Sequence, residues 1–181
     1  MSLLRFLGLG GEKKKTSWES QRDTATVRKI SARLERLDPE TAKHLAAFAY
    51  VLARVAHADL SIDSEETAAM EGIVSQVTDL APEEASLVIE IAKSQARLLG
   101  GTENYVVTRQ FRQITTREQR GKLLECLYAV AAADGSITSP ESSEIVTIAE
   151  ELGFTRAEAN ALRSAYRDKL SEFQSGSDGS A

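Results

Sequence analysis

Four carboxylates recur at fixed positions of a repeated turn, and their type and spacing are suited to binding a cation. The segments Ala58–Glu66 and Ala133–Glu141 share the frame Asp-x-Ser-Ile-x-Ser-x-Glu and lie 134 − 59 = 75 positions apart. If the two turns meet, their carboxylates form one cluster that repels itself unless a cation is bound. Oxygen-only ligands favour hard ions such as Ca²⁺ or Mg²⁺. The predicted metal-ligating residues are Asp59, Glu66, Asp134 and Glu141.

The same carboxylates also have a purely structural interpretation. Glu141 follows Thr138 by three positions, which is the spacing of a reciprocal capping box at a helix N-terminus, and Glu66 follows Asp63 in the same way. An Asp side chain can accept a hydrogen bond from a backbone N–H two residues further on and so fix a turn. The four residues are therefore either metal ligands or caps of turns and helices.

An EF-hand calcium loop is excluded by the residues at its required positions. Counted from Asp59, the sixth position is Ser64 where that loop needs Gly, and the twelfth is Met70 where it needs Glu. The second copy has Ser139 and Ile145 in those places. His57, next to the first turn, would make that site more tolerant of a transition metal, but an isolated His is more typical of a surface or packed position.

The elements that hold these turns are all helical. Apolar residues recur at steps of three and four, and no stretch of any length alternates with the period of a strand. Pro39 and Pro82 follow the pattern of first helical residues, and Gly153 that of a helix stop. We predict an all-α single domain of about eight helices, the last running continuously from Arg156 to about Phe173, with an internal pseudo-two-fold repeat.

Composition excludes several classes of function. A net charge of −5 argues against general nucleic-acid binding. The single cysteine, Cys126, can form no intramolecular disulfide, and its apolar neighbours at helical spacing predict that it is buried. No phosphate-binding loop, Cys/His metal spacing or nucleophile elbow is found, and there are only two histidines, so we predict no enzymatic activity.

Both ends of the chain differ in composition from the helical region. We predict a flexible N-terminal tail over 1–16, a helical domain over 17–173 and a disordered Gly/Ser-rich tail over 174–181. The apolar start of the chain is too short to cross a membrane and lacks the order of a cleavable signal, so we expect a cytoplasmic protein. Its leucines followed by Lys13–Lys15 also permit a weak peripheral membrane contact, the alternative being a frayed terminus.

The residues around the second turn resemble a known family. The frame Ala-Asp-Gly-x-Ile-x-x-x-Glu at 133–141, followed by Ile145, Ile148 and Leu152-Gly153-Phe154, is similar to the TerB-like domain, and a degenerate copy lies at 58–66. That family takes in a bacterial tellurite-resistance protein and the N-terminal domain of a membrane co-chaperone. The resemblance covers about residues 25 to 170. Leu60 departs from it, since a Gly is usual there.

The resemblance implies a compact helical bundle whose acidic turns gather on one side, with a metal-binding or protein-docking role in a bacterial stress response. Carried over, the acidic positions are again Asp59, Glu66, Asp134 and Glu141. Two hypotheses follow. The first is a non-enzymatic module that binds a divalent cation, and the second is an interaction domain that docks a protein partner through an acidic patch or a helix groove. The sequence identifies neither the ion nor the partner.

Overall fold

The computed structural model describes residues 28–56, 64–96 and 104–174. This part of the chain contains α-helices and no strands, which confirms the all-α prediction. In chain order the helices are α1 (28–34), α2 (Pro39–Ala56), α3 (Ser64–Val77), α4 (Pro82–Ala96), α5 (Asn104–Ile114), α6 (Arg117–Ala131), α7 (Ser139–Glu151), α8 (Arg156–Ala165) and α9 (Ser171–Gln174), with a 3₁₀ turn at Arg167–Lys169 between the last two. The internal repeat stays a prediction.

Helix α2 lies at the centre of the bundle. Its residues 45–53 are all buried, and it packs against α4, α5, α6 and α7. A helix that is apolar on every side is expected to be enclosed, and its alanines allow the neighbouring helices to approach closely. Asp38 caps its start by accepting from the backbone N–H groups of Glu40 and Thr41, at 3.1 and 3.0 Å. The core of the described residues therefore forms around this one segment.

Capping boxes define the starts of α6, α7 and α8. Each begins after a threonine whose side chain accepts from the backbone three residues on, while the Gln or Glu at that position accepts from the threonine N–H. The ends of α7 follow the sequence prediction closely. Gly153 adopts a positive φ of 88°, and the N–H of Phe154 reaches back to the Ala149 carbonyl at 3.0 Å, which closes the helix.

The predicted continuous helix from Arg156 to Phe173 is wrong. Helix α8 ends at Ala165, and the chain turns so that Leu170 pairs with Ile137 in an isolated parallel bridge. The Ile137 N–H donates to the Lys169 carbonyl at 2.6 Å, and the Ser171 N–H donates to the Ile137 carbonyl at 2.9 Å. These two hydrogen bonds replace some of the helical ones given up at the break, and the burial of both bridge side chains adds hydrophobic stabilisation.

Candidate functional site

The second acidic turn connects α6 to α7. Asp134 is exposed, and its Oδ1 accepts from the Ser136 N–H at 3.0 Å. Gly135 has a φ of 96°, a region that L side chains rarely adopt, so the turn favours glycine at this position. One oxygen of Asp134 thus fixes the turn, while its Oδ2 takes part in no hydrogen bond with the described residues.

Glu141 closes the N-terminus of α7. Its Oε2 accepts from both the backbone N–H and the hydroxyl of Thr138, at 2.8 and 2.7 Å, and the Glu141 N–H donates to the Thr138 hydroxyl at 3.4 Å. This confirms the predicted capping box. Oε1 of Glu141 has no hydrogen-bond partner in the described residues. Each carboxylate of this turn therefore supports the fold through one oxygen and leaves the other available.

The C-terminal segment 167–174 covers the same turn. Besides the bridge at Ile137, the side-chain amide of Gln174 donates to the Gly135 carbonyl at 3.0 Å and to the Asp168 carbonyl at 3.1 Å. The sequence assigns Gln174 to the disordered tail, whereas in the structure it is the last residue of α9. Residues 175–181 lie outside the described ranges.

The first acidic turn lies mostly outside the described residues. Asp59, His57, Leu60 and the capping partner Asp63 belong to the undescribed segment 57–63, and Glu66 lies in α3 with a side chain that is not described. Among the side chains that the structure describes, no group of three or more from His, Cys, Asp or Glu is placed to hold a metal ion. The convergence of Asp59, Glu66, Asp134 and Glu141 therefore stays a prediction.

A buried ion network that the sequence analysis missed joins α2 to α5 and α7. The Arg54 side chain is 3% exposed; its Nη1 lies 2.6 Å from Oε2 of Glu151, and its Nη2 lies 2.7 Å from Oε1 of Glu144. Nη1 also donates to the Thr108 hydroxyl at 2.6 Å. Burial by itself would lower the pKa of Arg54, but the two glutamates more than offset this, and its pKa is raised. The one signal in the sequence was an arginine inside an otherwise apolar segment.

A pocket of about 340 Å³ opens between α2, the α3–α4 connection, the start of α4, α5 and α6. Its apolar lining consists of Leu45, Phe48, Leu80 and Ile114. The charged residues that line it are three acids and one ammonium: Glu40, Asp79, Glu84 and Lys122. Lys122 forms an ion pair with Asp79. The pocket therefore combines an apolar lining with an excess of negative charge, a combination that suits an apolar group flanked by positive charge.

His44 also lines this pocket. Its ring lies against Phe111 and Phe48, with centroid separations of 5.4 and 6.3 Å. Burial lowers the pKa of His44, and the charge of Glu84 opposes that effect only in part. The imidazole is thus predominantly neutral at pH 7 and belongs to the aromatic packing. A packed position is one of the two, surface or packed, that are expected for an isolated histidine.

Cys126 is fully buried, as the sequence predicted. Burial raises the pKa of its thiol to about 12, so the thiolate that acts as a nucleophile or metal ligand is not formed at neutral pH.

No helix within the described ranges has both the length and the apolar character that a membrane crossing requires.

The fold and the site define an all-helical module with a capped acidic turn between α6 and α7. The family model described as tellurite resistance protein TerB matches residues 44–164, which spans α2 to α8, and the chain belongs to that family. Comparisons with curated proteins and with solved structures gave no match.

Proposed function

We propose that this chain is a non-enzymatic TerB-family module that docks a partner polypeptide in the pocket lined by α2 and α6. The occupant is an apolar side chain with basic residues on either side. The observation that carries the proposal is the placing of Glu40, Asp79 and Glu84 around an apolar lining. Opposite charges at a rim steer a partner and fix its register, while the apolar contact provides most of the affinity.

The carboxylates of the acidic turn have a structural role that by itself requires neither catalysis nor a bound metal. Asp134 and Glu141 each use a carboxylate oxygen for the backbone of the turn or the start of α7. A residue that closes a turn needs no ligand to explain its presence. The buried Cys126, with its raised thiol pKa, offers no nucleophile.

The docking proposal is tested with short peptides and the full chain. The probe is acetyl-Lys-Lys-Phe-Lys-Lys-amide, compared with one peptide that has Ser in place of Phe and another that has Glu in place of every Lys. We expect saturable amide shifts at Leu45 and Ile114 with the first peptide only. Equal shifts with all three peptides, or none, would refute the proposal.

A variant pair separates rim charge from overall charge. Replacing two rim acids by neutral isosteres, Glu40→Gln with Asp79→Asn, should weaken binding of the Lys-Phe peptide roughly tenfold, because two exposed ion pairs of up to about 1 kcal/mol each are lost. The matched control changes the exposed residues Glu35→Gln and Glu125→Gln, which do not line the pocket. Equal loss in both variants would indicate unspecific attraction rather than docking.

Binding of a divalent cation is the second candidate, and it is favoured by Asp134 Oδ2 and Glu141 Oε1, which have no hydrogen-bond partner among the described residues. Ca²⁺ or Mg²⁺ would be the expected ion because the ligands are oxygens. A thermal melt of chelator-stripped protein tests this against a panel of divalent ions. An ion at about 100 times its Kd adds roughly 2.7 kcal/mol of stability, and Asp59→Asn with Asp134→Asn should abolish that gain. A melting temperature that none of the ions changes would rule out cation binding.

The family description names tellurite resistance, and we propose that this chain acts in that setting, as part of a bacterial stress response. We place the module in the cytoplasm, with peripheral membrane contact through the segment 1–16 as an option. Growth of cells with and without the gene at graded tellurite concentrations tests whether the module acts in tellurite resistance. Sedimentation of the full chain and of a chain lacking residues 2–15 with anionic vesicles tests the contact.

A further inference from the structure

Three arginines from α5 and α6 gather at the C-terminal end of α7, although the chain as a whole is acidic. We name Arg112, Arg117 and Arg120 the arginine cluster. Arg120 donates from Nη1 to the Leu152 carbonyl at 2.9 Å. The guanidinium carbon of Arg117 lies 4.6 Å from the centre of the Phe154 ring. Both contacts hold a positive group beside the segment that ends α7.

The Arg112 side chain reaches Gly153, which lies between Leu152 and Phe154. A Cβ placed on Gly153 would lie 2.8 Å from the guanidinium carbon of Arg112, so the glycine leaves the space that this side chain fills. The three guanidinium groups therefore contact three consecutive residues, 152–154.

The positive charge of the cluster is only partly compensated. Glu158 pairs with Arg117, with Oε1 of the acid 2.5 Å from Nη2. Among the residues that the structure describes, neither Arg112 nor Arg120 forms an ion pair with a carboxylate. The hydrogen bonds of the Arg120 side chain go to backbone carbonyls, those of Thr116 and Leu152. Within the described part of the chain, the positive charges of Arg112 and Arg120 thus have no negative partner.

The arginines also repel one another. The pKa of Arg120 is lowered, first by burial and then by the charges of Arg112 and Arg117. Like charges held together by the fold are relieved by an anion placed between them. The cluster is open to solvent, since Arg112 is exposed and 54% of the Arg117 side chain is accessible.

We propose that the arginine cluster binds a phosphate group. The planar fork of a guanidinium matches two phosphate oxygens at once, and a phosphate monoester carries close to the two negative charges that Arg112 and Arg120 leave uncompensated. A single carboxylate would supply only one negative charge. The phosphate group belongs either to a soluble phosphorylated compound or to a lipid headgroup, and the test distinguishes the two. This site is independent of the docking pocket.

The test follows ¹H–¹⁵N shifts of the full chain while inorganic phosphate is added, against sodium chloride at matched ionic strength. We expect saturable shifts of the Arg112 and Arg120 side-chain N–H groups and of the Gly153 amide with phosphate only. Arg112→Gln should raise the Kd for phosphate roughly tenfold or more, because a charge-assisted contact is lost. Arg36→Gln removes an exposed arginine of the α1–α2 connection and should leave the Kd unchanged.

Arg112 is the variant of choice because no hydrogen bond of its side chain supports the described fold, and a melt matching wild type will confirm that the variant is folded. Vesicles of phosphatidylcholine with and without a phosphoinositide form the second arm. Shifts with free phosphate but no retention on phosphoinositide vesicles indicate a soluble ligand; retention that Arg112→Gln abolishes indicates a lipid headgroup. No phosphate-specific shift, or an unchanged Kd in Arg112→Gln, overturns the proposal.

Discussion

Arg54 and Glu151 form a nearly buried ion pair across the helical core, with Nη1 of the arginine 2.6 Å from Oε2 of the glutamate. The residues are 97 positions apart, and Glu144, on the same helix as Glu151, completes the network. Taking a charge out of water is costly unless partners replace the lost hydration, and here two carboxylates and the Thr108 hydroxyl do so. The network consequently fixes the position of α7 relative to α2.

Loss of Arg54 should be among the most destabilising single changes at a polar residue. Arg54→Met leaves the 15%-exposed Glu151 side chain without its cation, and we expect a loss of about 3–5 kcal/mol in the free energy of unfolding. Urea denaturation measures it. Arg36→Met, at an exposed position, should stay within about 0.5 kcal/mol of wild type. If Arg54→Met proved nearly neutral, the network would not contribute to stability.

In the described ranges two glycines, Gly135 and Gly153, have a positive φ, and they provide a matched pair. Gly135→Ala and Gly153→Ala should each cost about 1–2 kcal/mol of unfolding free energy, because an L side chain is strained at φ values of 96° and 88°. At Gly153 the new Cβ meets only the flexible end of Arg112, which can move aside, so the two losses should be similar. A much larger loss at Gly153, measured by thermal melting, would show that Arg112 is held rigidly.

Acid stability should depend on Glu158. Its pKa is lowered to about 2, mainly by the backbone and side-chain hydrogen bonds from Thr155, with Arg117 adding to the effect. Since the folded-state pKa lies below the unfolded one, the carboxylate contributes stability above pH 4.5 that is lost as the pH falls toward about 2. Glu158→Gln should flatten that part of the stability curve, which urea denaturation over this pH range measures; an unchanged curve would show that Glu158 is not the titrating group.

His44 should make the protein less stable in mild acid. Because burial lowers its pKa in the folded state, the unfolded chain binds the proton more readily, and stability falls as the pH drops below the unfolded value of 6.5. Comparing urea denaturation at about pH 7.5 and about pH 5.5, we expect a smaller difference in His44→Gln than in wild type. An identical pH dependence in the two proteins would show that His44 is not the titrating group.

Local signals in the sequence were sufficient for most of the helical architecture. Thr138 with Glu141 marked the start of α7, and Gly153 marked its end, because caps and stops act over three to five residues. The apolar spacing around Cys126 placed that thiol in the core. The repeated frame Asp-x-Ser-Ile-x-Ser-x-Glu predicted the acidic turns, and the structure gives the geometry of the second one, between α6 and α7.

Tertiary packing decided what no local pattern encodes. The periodicity of 156–173 continued through the break at Ala165, which arises only because Leu170 is buried beside Ile137. The partners of Arg54 lie 90 and 97 residues away, and the arginine cluster requires α5 and α6 to meet the end of α7. Such contacts depend on how helices pack, and a sequence carries only the local part of that information.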